Sequence, residues 1–561
     1  MNIRMFLLSV AMFCCGGLLA QEWGKWQIWG DTHDGFYQNP VIPADFSDID
    51  CIEHDGMYYM ISSTFQFQPG MIIMRSTDMV NWTLAGYAVK DIRQISPAMN
   101  YDIMDRYGRG IWAGAIRWFR GRFYVYFGTP DEGYFMTSAE NVEGPWDDLK
   151  KMSIGEGWDD PCPFFDELGN GYLVATQFSD NYKTYVYSLN RNYTDVLPDS
   201  RRLIHEGAGR EANKLYKRNG WFYHLYSEVN HEGRRLMIQR SRVASGPYEG
   251  TRPMSEVQRQ WHEPNQGGFL FDSEGRCFFL THHGDGDWSG RIASLLPVVW
   301  TDEGWPIIGQ PNAQGIGEMV WRYPIPTVFH SESRLKTFFT LQAPRTSSVG
   351  IGRRIQYWQR RESKPAKVNT SANDFWEWNY YPREDKAKIT KHAGQMRVRL
   401  GAFLPLERDN LLKVGNILTT RSWRTTHSRV TVKINISQLV DGQRAGICHF
   451  SGPWSMFGVE QAGSVRYLFF QTDGRSAHRL DALQGQHAKQ IYLRTEWGLD
   501  GMSRYSYSFD GRRYKAADGC DYQLRWANYR GDRVGLFTYN NFTDAGYATF
   551  DVIENRNDLP E

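Results

Sequence analysis

Cysteine is scarce in this 561-residue chain. Of seven, the five beyond residue 20 are Cys51, Cys162, Cys277, Cys448 and Cys520; they are far apart and show no CxxC spacing. That argues against a disulfide framework or a zinc site, and each is expected as a small buried apolar residue. A charge excess is missing too, with 64 Lys+Arg against 63 Asp+Glu and no long run of one sign. Nucleic acid and anionic membrane are therefore poor candidates for the main partner. Beyond the N-terminus no apolar stretch is long enough to span a bilayer. No glycine-rich phosphate loop and no serine nucleophile elbow are found.

What the chain has in quantity is aromatic side chains: 21 Trp, 31 Tyr and 31 Phe. Aromatics suit strands, and their faces also suit flat apolar ligand surfaces. The first twenty residues read as a signal peptide, with Arg4 in the basic region, Met5 to Phe13 as the apolar region and Ala20 at the cut. Export to the periplasm or the outside is the expectation. Cys14 and Cys15 offer a lipid anchor as an alternative, which Phe13 before Cys14 fits poorly.

A glycine followed by aromatic and β-branched residues recurs five times, at Gly56, Gly121, Gly169, Gly220 and Gly275, with spacings of 65, 48, 51 and 55 residues. Polar residues precede each glycine, as a hairpin turn into a buried strand requires. A period near 50 with several strands per unit predicts a five-bladed β-propeller. The signal fades after Ile308. The expected organisation is a propeller over residues 21–324 and a linker or covering loop over 325–372. A β-sandwich over 373–561 follows, from about eight further strand patterns such as RVTVKINIS and VRYLFFQT.

Three acidic residues stand just ahead of, or within, the strand that precedes a signal hairpin: Asp48, Asp160 and Glu211. In a propeller that strand is innermost, so the three carboxylates are predicted around one central cavity. Such a set serves inverting glycoside hydrolysis. One carboxylate activates water, one carboxyl protonates the leaving oxygen, and a third raises the pKa of the acid. Neighbouring acids compete for each position: Asp45 and Asp50 with Asp48, Asp159 with Asp160, and Glu206 with Glu211.

The chain resembles glycoside hydrolase family 43, the β-xylosidases and α-L-arabinofuranosidases. The likeness lies in five ordered segments: NPVIPADFSDIDCIEHDGMYYMISSTFQFQPGM, GIWAGAIRWFRGRFYVYF, WDDPCPFFDELGNGYL, EANKLYKRNGWFYHLYSE and SGRIASLLPVVWTDEGWPIIG. The C-terminal part is similar to the concanavalin-A-like sandwich of the family's xylosidases. The resemblance implies that Asp48 is the general base, Asp160 the residue that modulates the acid, Glu211 the general acid, and Arg291 a sugar contact. It also places a channel-facing histidine at His282, which fits better than His283, as a ligand that helps hold an ion. No cofactor is expected to be needed for the chemistry; a structural calcium is allowed for, though spacing does not show it. Phe67, Trp112 and Trp158 are expected as walls of a sugar pocket.

The chain departs from the pattern at Ile49 and Asp50, at Ala113-Gly114, at Asn213 two residues after the acid, and at Asn265. None removes a carboxylate. The expected activity is exo-acting, inverting release of xylose or arabinofuranose from plant polysaccharides or oligosaccharides. The alternatives are another glycoside on the same fold, of endo-arabinanase or β-galactosidase type, or a carbohydrate-binding protein without catalysis.

Overall fold

A computed structural model describes residues 29–257, 264–283, 287–328, 376–392, 394–485 and 489–557. The signal peptide read at residues 1–20 and most of the stretch read as a linker lie outside them. Among the described residues the chain is strand and loop with five short 3-10 turns, and no helix is long and apolar enough to cross a membrane.

Five antiparallel sheets form the propeller blades. Their innermost strands are Asp50–His54, Gly114–Phe119, Asp159–Phe165, Glu211–Arg218 and Gly267–Phe271. Each turns back into a buried strand: Met57–Ser62, Arg122–Thr129, Gly171–Gln177, Trp221–Asn230 and Cys277–His283. The five repeat glycines sit in those turns, all with φ between 74° and 92°. That left-handed conformation strains a residue with a Cβ, which is why glycine marks the period.

Successive blades bury apolar layers between them. Ile61, Ile116 and Val125 pack between blades one and two, Phe119, Phe165 and Leu173 between two and three, and Val174, Leu215 and Phe222 between three and four. Leu225, Ile238, Phe269 and Phe279 lie between four and five. Met60, Ile72, Leu280 and Leu295 close five onto one. The ring is latched by Ile42–Asp45, which pairs with Ile292–Trp300 of blade five. All five described cysteines are free and buried in these layers or in the sandwich.

The axis is filled by a buried ion network. Arg117 bonds Asp50 at 2.6 Å and donates to Cys162 Sγ at 3.0 Å, and Lys214 lies 3.6 Å from Asp50. Asp50, Cys162 and Lys214 follow Asp48, Asp160 and Glu211 by two or three residues, so this network forms the layer below the three acids.

The C-terminal part is a two-sheet sandwich around Val398, Val430, Ile447, Leu493 and Leu536. It grips the propeller. Phe67–Gln68, from the first blade, pairs with Glu377–Asn379 and becomes the edge of a sandwich sheet. Glu377 bonds Arg533 at 2.6 Å and Arg421 at 3.2 Å, all buried, and Arg421 Nε donates to the Asp45 carbonyl at 2.8 Å. Arg424 N–H reaches the Pro43 carbonyl, and Asp532 N–H the Trp288 carbonyl, each at 2.7 Å. The sandwich is thereby fastened beside the segments that carry Asp48 and Arg291.

Candidate active site

Strained backbone aims the acids. Asp48, Asp160 and Ala212 are all non-glycine residues in the left-handed region, with φ of 57°, 52° and 62°. The ladders slip between Asp159 and Cys162 and between Glu211 and Lys214. Bulges of this kind re-aim side chains at the mouth of a sheet, and strain persists where surrounding contacts over-determine it.

Those contacts cross from blade to blade. Asp48 N–H donates to His282 Nδ1 of blade five at 2.7 Å. Its carboxylate accepts from Ser63 Oγ at 2.6 Å and from Arg291 at 2.7 Å. Asp160 accepts from Ala212 N–H at 2.7 Å and from Gln266 Nε2 at 2.8 Å. Glu211 Oε1 is ion-paired with the Arg234 guanidinium at 2.8 Å. The three acids lie close enough that Asp48 raises the pKa of Asp160 and of Glu211, and Asp160 raises that of Glu211.

Burial is the main influence on Glu211 and lifts its carboxyl to about 7. Arg234 and Arg291 pull it down, and Asp160 and Asp48 push it up. Its side chain remains 29% accessible, so a ligand can reach it. Asp160 is also raised, chiefly by burial, while the Ala212 N–H and Lys214 oppose the rise.

Asn213 sits beneath, wholly buried, and donates to the Asp160 carbonyl and to Thr176 Oγ1. Its amide orientation follows from His224, whose pKa burial lowers to about 3. The neutral ring accepts at Nδ1 from Gln239 and therefore donates from Nε2 to Asn213 Oδ1. His282 is likewise held neutral by burial and by the cations near it. With Nδ1 accepting from Asp48, its proton is on Nε2, which is buried without a partner among the described residues.

Among the described residues no group of three or more His, Cys, Asp or Glu side chains is placed to hold a metal. The role His282 does show is to fix the backbone of Asp48.

Three of the four competing acids lie apart from the set, and Asp159 stays beside Asp160. Asp50 belongs to the axial ion network. Asp45 accepts from Arg291 N–H and Ser47 Oγ. Glu206 is exposed on the outside of its blade.

Two expected pocket walls are corrected. Phe67 is 1% exposed and packs under the Arg533 guanidinium, 3.7 Å from its ring, and against Phe450 of the sandwich. Trp158 packs into the layer between blades two and three with Tyr134, Tyr185 and Tyr187. Trp112 does reach the opening, partly exposed, with Phe178 and Tyr529 6.0 and 5.9 Å from its ring. Tyr529, 55% exposed, and Trp526 come from the sandwich and lie within 6 Å of the Arg291 guanidinium. Arg530 anchors that loop by donating to Gln66 and lying over Phe65, Phe67 and Tyr107. Gly531 presses on the Ser289–Gly290 backbone, where a Cβ would lie 2.6 Å from Gly290 N. Phe178, Tyr529 and Arg234 had no signal in the sequence, since each belongs to a hairpin or loop outside the repeated pattern.

A radial β architecture with coupled carboxylates at one mouth, one of them poised near neutrality, defines a glycosidase. Residues 37–306 match the family described as glycosyl hydrolases family 43, and residues 369–556 match the β-xylosidase C-terminal concanavalin A-like domain. The chain belongs to glycoside hydrolase family 43. It is 26% identical to a β-xylosidase of Formosa agariphila, with 93% of this chain and 90% of that protein covered. It is 27% identical to a non-reducing end α-L-arabinofuranosidase of Bacteroides ovatus, with 80% and 77% covered. A solved structure described as a bifunctional GH43-CE protein of Bacteroides eggerthii superposes with a TM-score of 0.73 at 26% identity. That match covers 93% of this chain but 64% of the longer one.

Proposed function

We propose that the protein is an exo-acting, inverting glycosidase that releases xylose or arabinofuranose from the ends of plant cell-wall polysaccharides or oligosaccharides. The observation that carries this is the unequal equipment of the acids. Asp48 accepts from Arg291 and Ser63, which hold a base in place to take a proton from water. Glu211 titrates near 7 and has one oxygen, Oε2, to which no described residue donates. Such a carboxyl can carry a proton to the leaving oxygen. Asp160, buried between them and bonded to the Ala212 N–H, ties the pKa of the acid to the blade that supports it.

The sequence of events is then direct. Asp48 accepts a proton as water attacks the anomeric carbon, the glycosidic bond breaks, and Glu211 gives its proton to the departing oxygen. Trp526 and Tyr529 crowd one side of the opening, which favours a chain end over a chain interior. The names of the β-xylosidase and arabinofuranosidase relatives support the two pentoses.

A panel of nitrophenyl glycosides tests the assignment, with the wild type and Glu211→Gln side by side. Turnover of β-xyloside or α-L-arabinofuranoside, lost in the variant, is expected. Turnover of only hexosides, or of internal arabinan bonds, would replace it.

A further inference from the structure

Asp159 is a fourth carboxyl at the same mouth. On a regular strand it would point away from Asp160. The slip between Asp159 and Cys162, with Asp160 left-handed, breaks that alternation. Its carboxyl consequently feels Asp160, Asp48 and Glu211, and Tyr182 in turn feels Asp159.

Its attachment differs from that of the other three. Asp48 and Asp160 accept hydrogen bonds from other blades or segments and Glu211 is ion-paired with Arg234, whereas the Asp159 carboxyl has the N–H of its own neighbour Asp160 beside it and, among the described residues, no cation paired with it. Oδ1 is buried and accepts no hydrogen bond from the described residues. It presses on Gly128, where a Cβ would stand 2.9 Å away. The backbone is pinned instead, by the Tyr134 hydroxyl on the Asp159 carbonyl at 2.5 Å. The Gly128 carbonyl also accepts the Trp112 N–H at 2.9 Å, so Asp159 stands between Trp112 and Asp160. The residue as a whole is only partly covered.

We propose that Asp159 is a specificity residue whose carboxyl hydrogen-bonds a hydroxyl of the bound sugar. This rests on the reading of the channel mouth as the site of glycoside cleavage. Burial, then the charge of Asp160 and Asp48, holds its carboxyl well above the usual carboxylate range. When it carries a proton, such a carboxyl both donates and accepts, as a sugar hydroxyl does. A buried carboxyl that no cation pairs with is costly, and a ligand hydroxyl bonded at Oδ2, the oxygen not covered by Gly128, offsets that cost. Gly128 is the complementary adaptation, because any side chain there would displace the carboxyl.

Steady-state kinetics on the best nitrophenyl glycoside test this with Asp159→Leu, Asp159→Asn and Gly128→Ala, each checked for an unaltered melting transition. Asp159→Leu is expected to raise KM on the order of 10- to 100-fold, and Asp159→Asn, which keeps a donor and an acceptor, to stay within about threefold. Gly128→Ala should lower kcat/KM in the wild type and add nothing to Asp159→Leu. If Asp159→Leu fails to fold, Asp159→Ser, too short to reach the sugar, takes its place with the same expectation. A wild-type KM in the Leu or Ser variant overturns the inference, as does an Asn variant that falls as far as Leu. Glu211→Gln run in parallel separates the two levels. If it loses turnover while Asp159→Leu binds normally, only this inference falls. If it keeps full turnover, the underlying reading falls and takes this one with it.

Discussion

Arg234 holds Glu211 across one blade, guanidinium to Oε1 at 2.8 Å, and still the carboxyl titrates near 7. Burial and the charges of Asp160 and Asp48 outweigh the two arginines that stabilise its anion. A group that acts as an acid is useful only below its pKa, so kcat/KM should fall as pH rises through about 7.

The same balance gives two opposite shifts. Arg234→Met removes an influence that lowers the Glu211 pKa, so the basic limb of the pH–rate profile should move to higher pH. Asp160→Asn removes one that raises it, so the limb should move to lower pH. The full pH dependence of kcat/KM in both variants checks the signs; shifts in the same direction would contradict them.

Acid and base should separate by leaving group. A dinitrophenolate departs without a proton, whereas a sugar alkoxide does not. Glu211→Gln is therefore expected to lose on the order of 10²–10⁴-fold on a disaccharide and far less on a dinitrophenyl glycoside. Asp48→Asn should lose heavily on both, because water still needs its base.

Phe67 and Trp112 should behave in opposite ways. Phe67→Ala opens a cavity between propeller and sandwich and should cost about 3–5 kcal/mol of stability with KM unchanged. Trp112→Ala, at the opening, should raise KM with little effect on melting. Urea unfolding and initial-rate kinetics on the two proteins decide the matter.

Glu377 neutralises two buried arginines, and burial has already lowered the Arg533 pKa to about 10. Glu377→Leu leaves both cations unpaired and should destabilise the protein by about 3–5 kcal/mol, read from denaturant unfolding. Arg421, which also bonds the Asp45 carbonyl, would loosen with it, so activity should decline before the fold is lost.

Much of this was legible in the sequence, and the reason is periodicity. Gly56, Gly121, Gly169, Gly220 and Gly275 mark turns that no other residue makes without strain, so five blades could be counted and their innermost strands located. That count made Asp48, Asp160 and Glu211 candidates with neighbouring acids as rivals, and the resemblance to family 43 chose among them. What stayed hidden depends on contacts made across sequence distance. Phe67 looked like a pocket aromatic because nothing local announces that the strand holding it joins a sandwich sheet more than 300 residues away. Trp158 sits two residues from Asp160, but blade packing claims its ring. Tyr529 enters the site from the other domain through Arg530 and Gly531, and Asp159 faces its neighbours only because a bulge breaks the alternation of the strand.

The most direct measurement is the anomer released in the first minutes of turnover, followed by proton NMR on an aryl β-xyloside or α-L-arabinofuranoside. Single displacement by water, with Asp48 as base and Glu211 as acid, predicts that the product first appears with its anomeric configuration inverted and mutarotates afterwards. Initial appearance of the retained anomer would mean that a carboxylate attacks the sugar itself, and would contradict the roles assigned to all three acids.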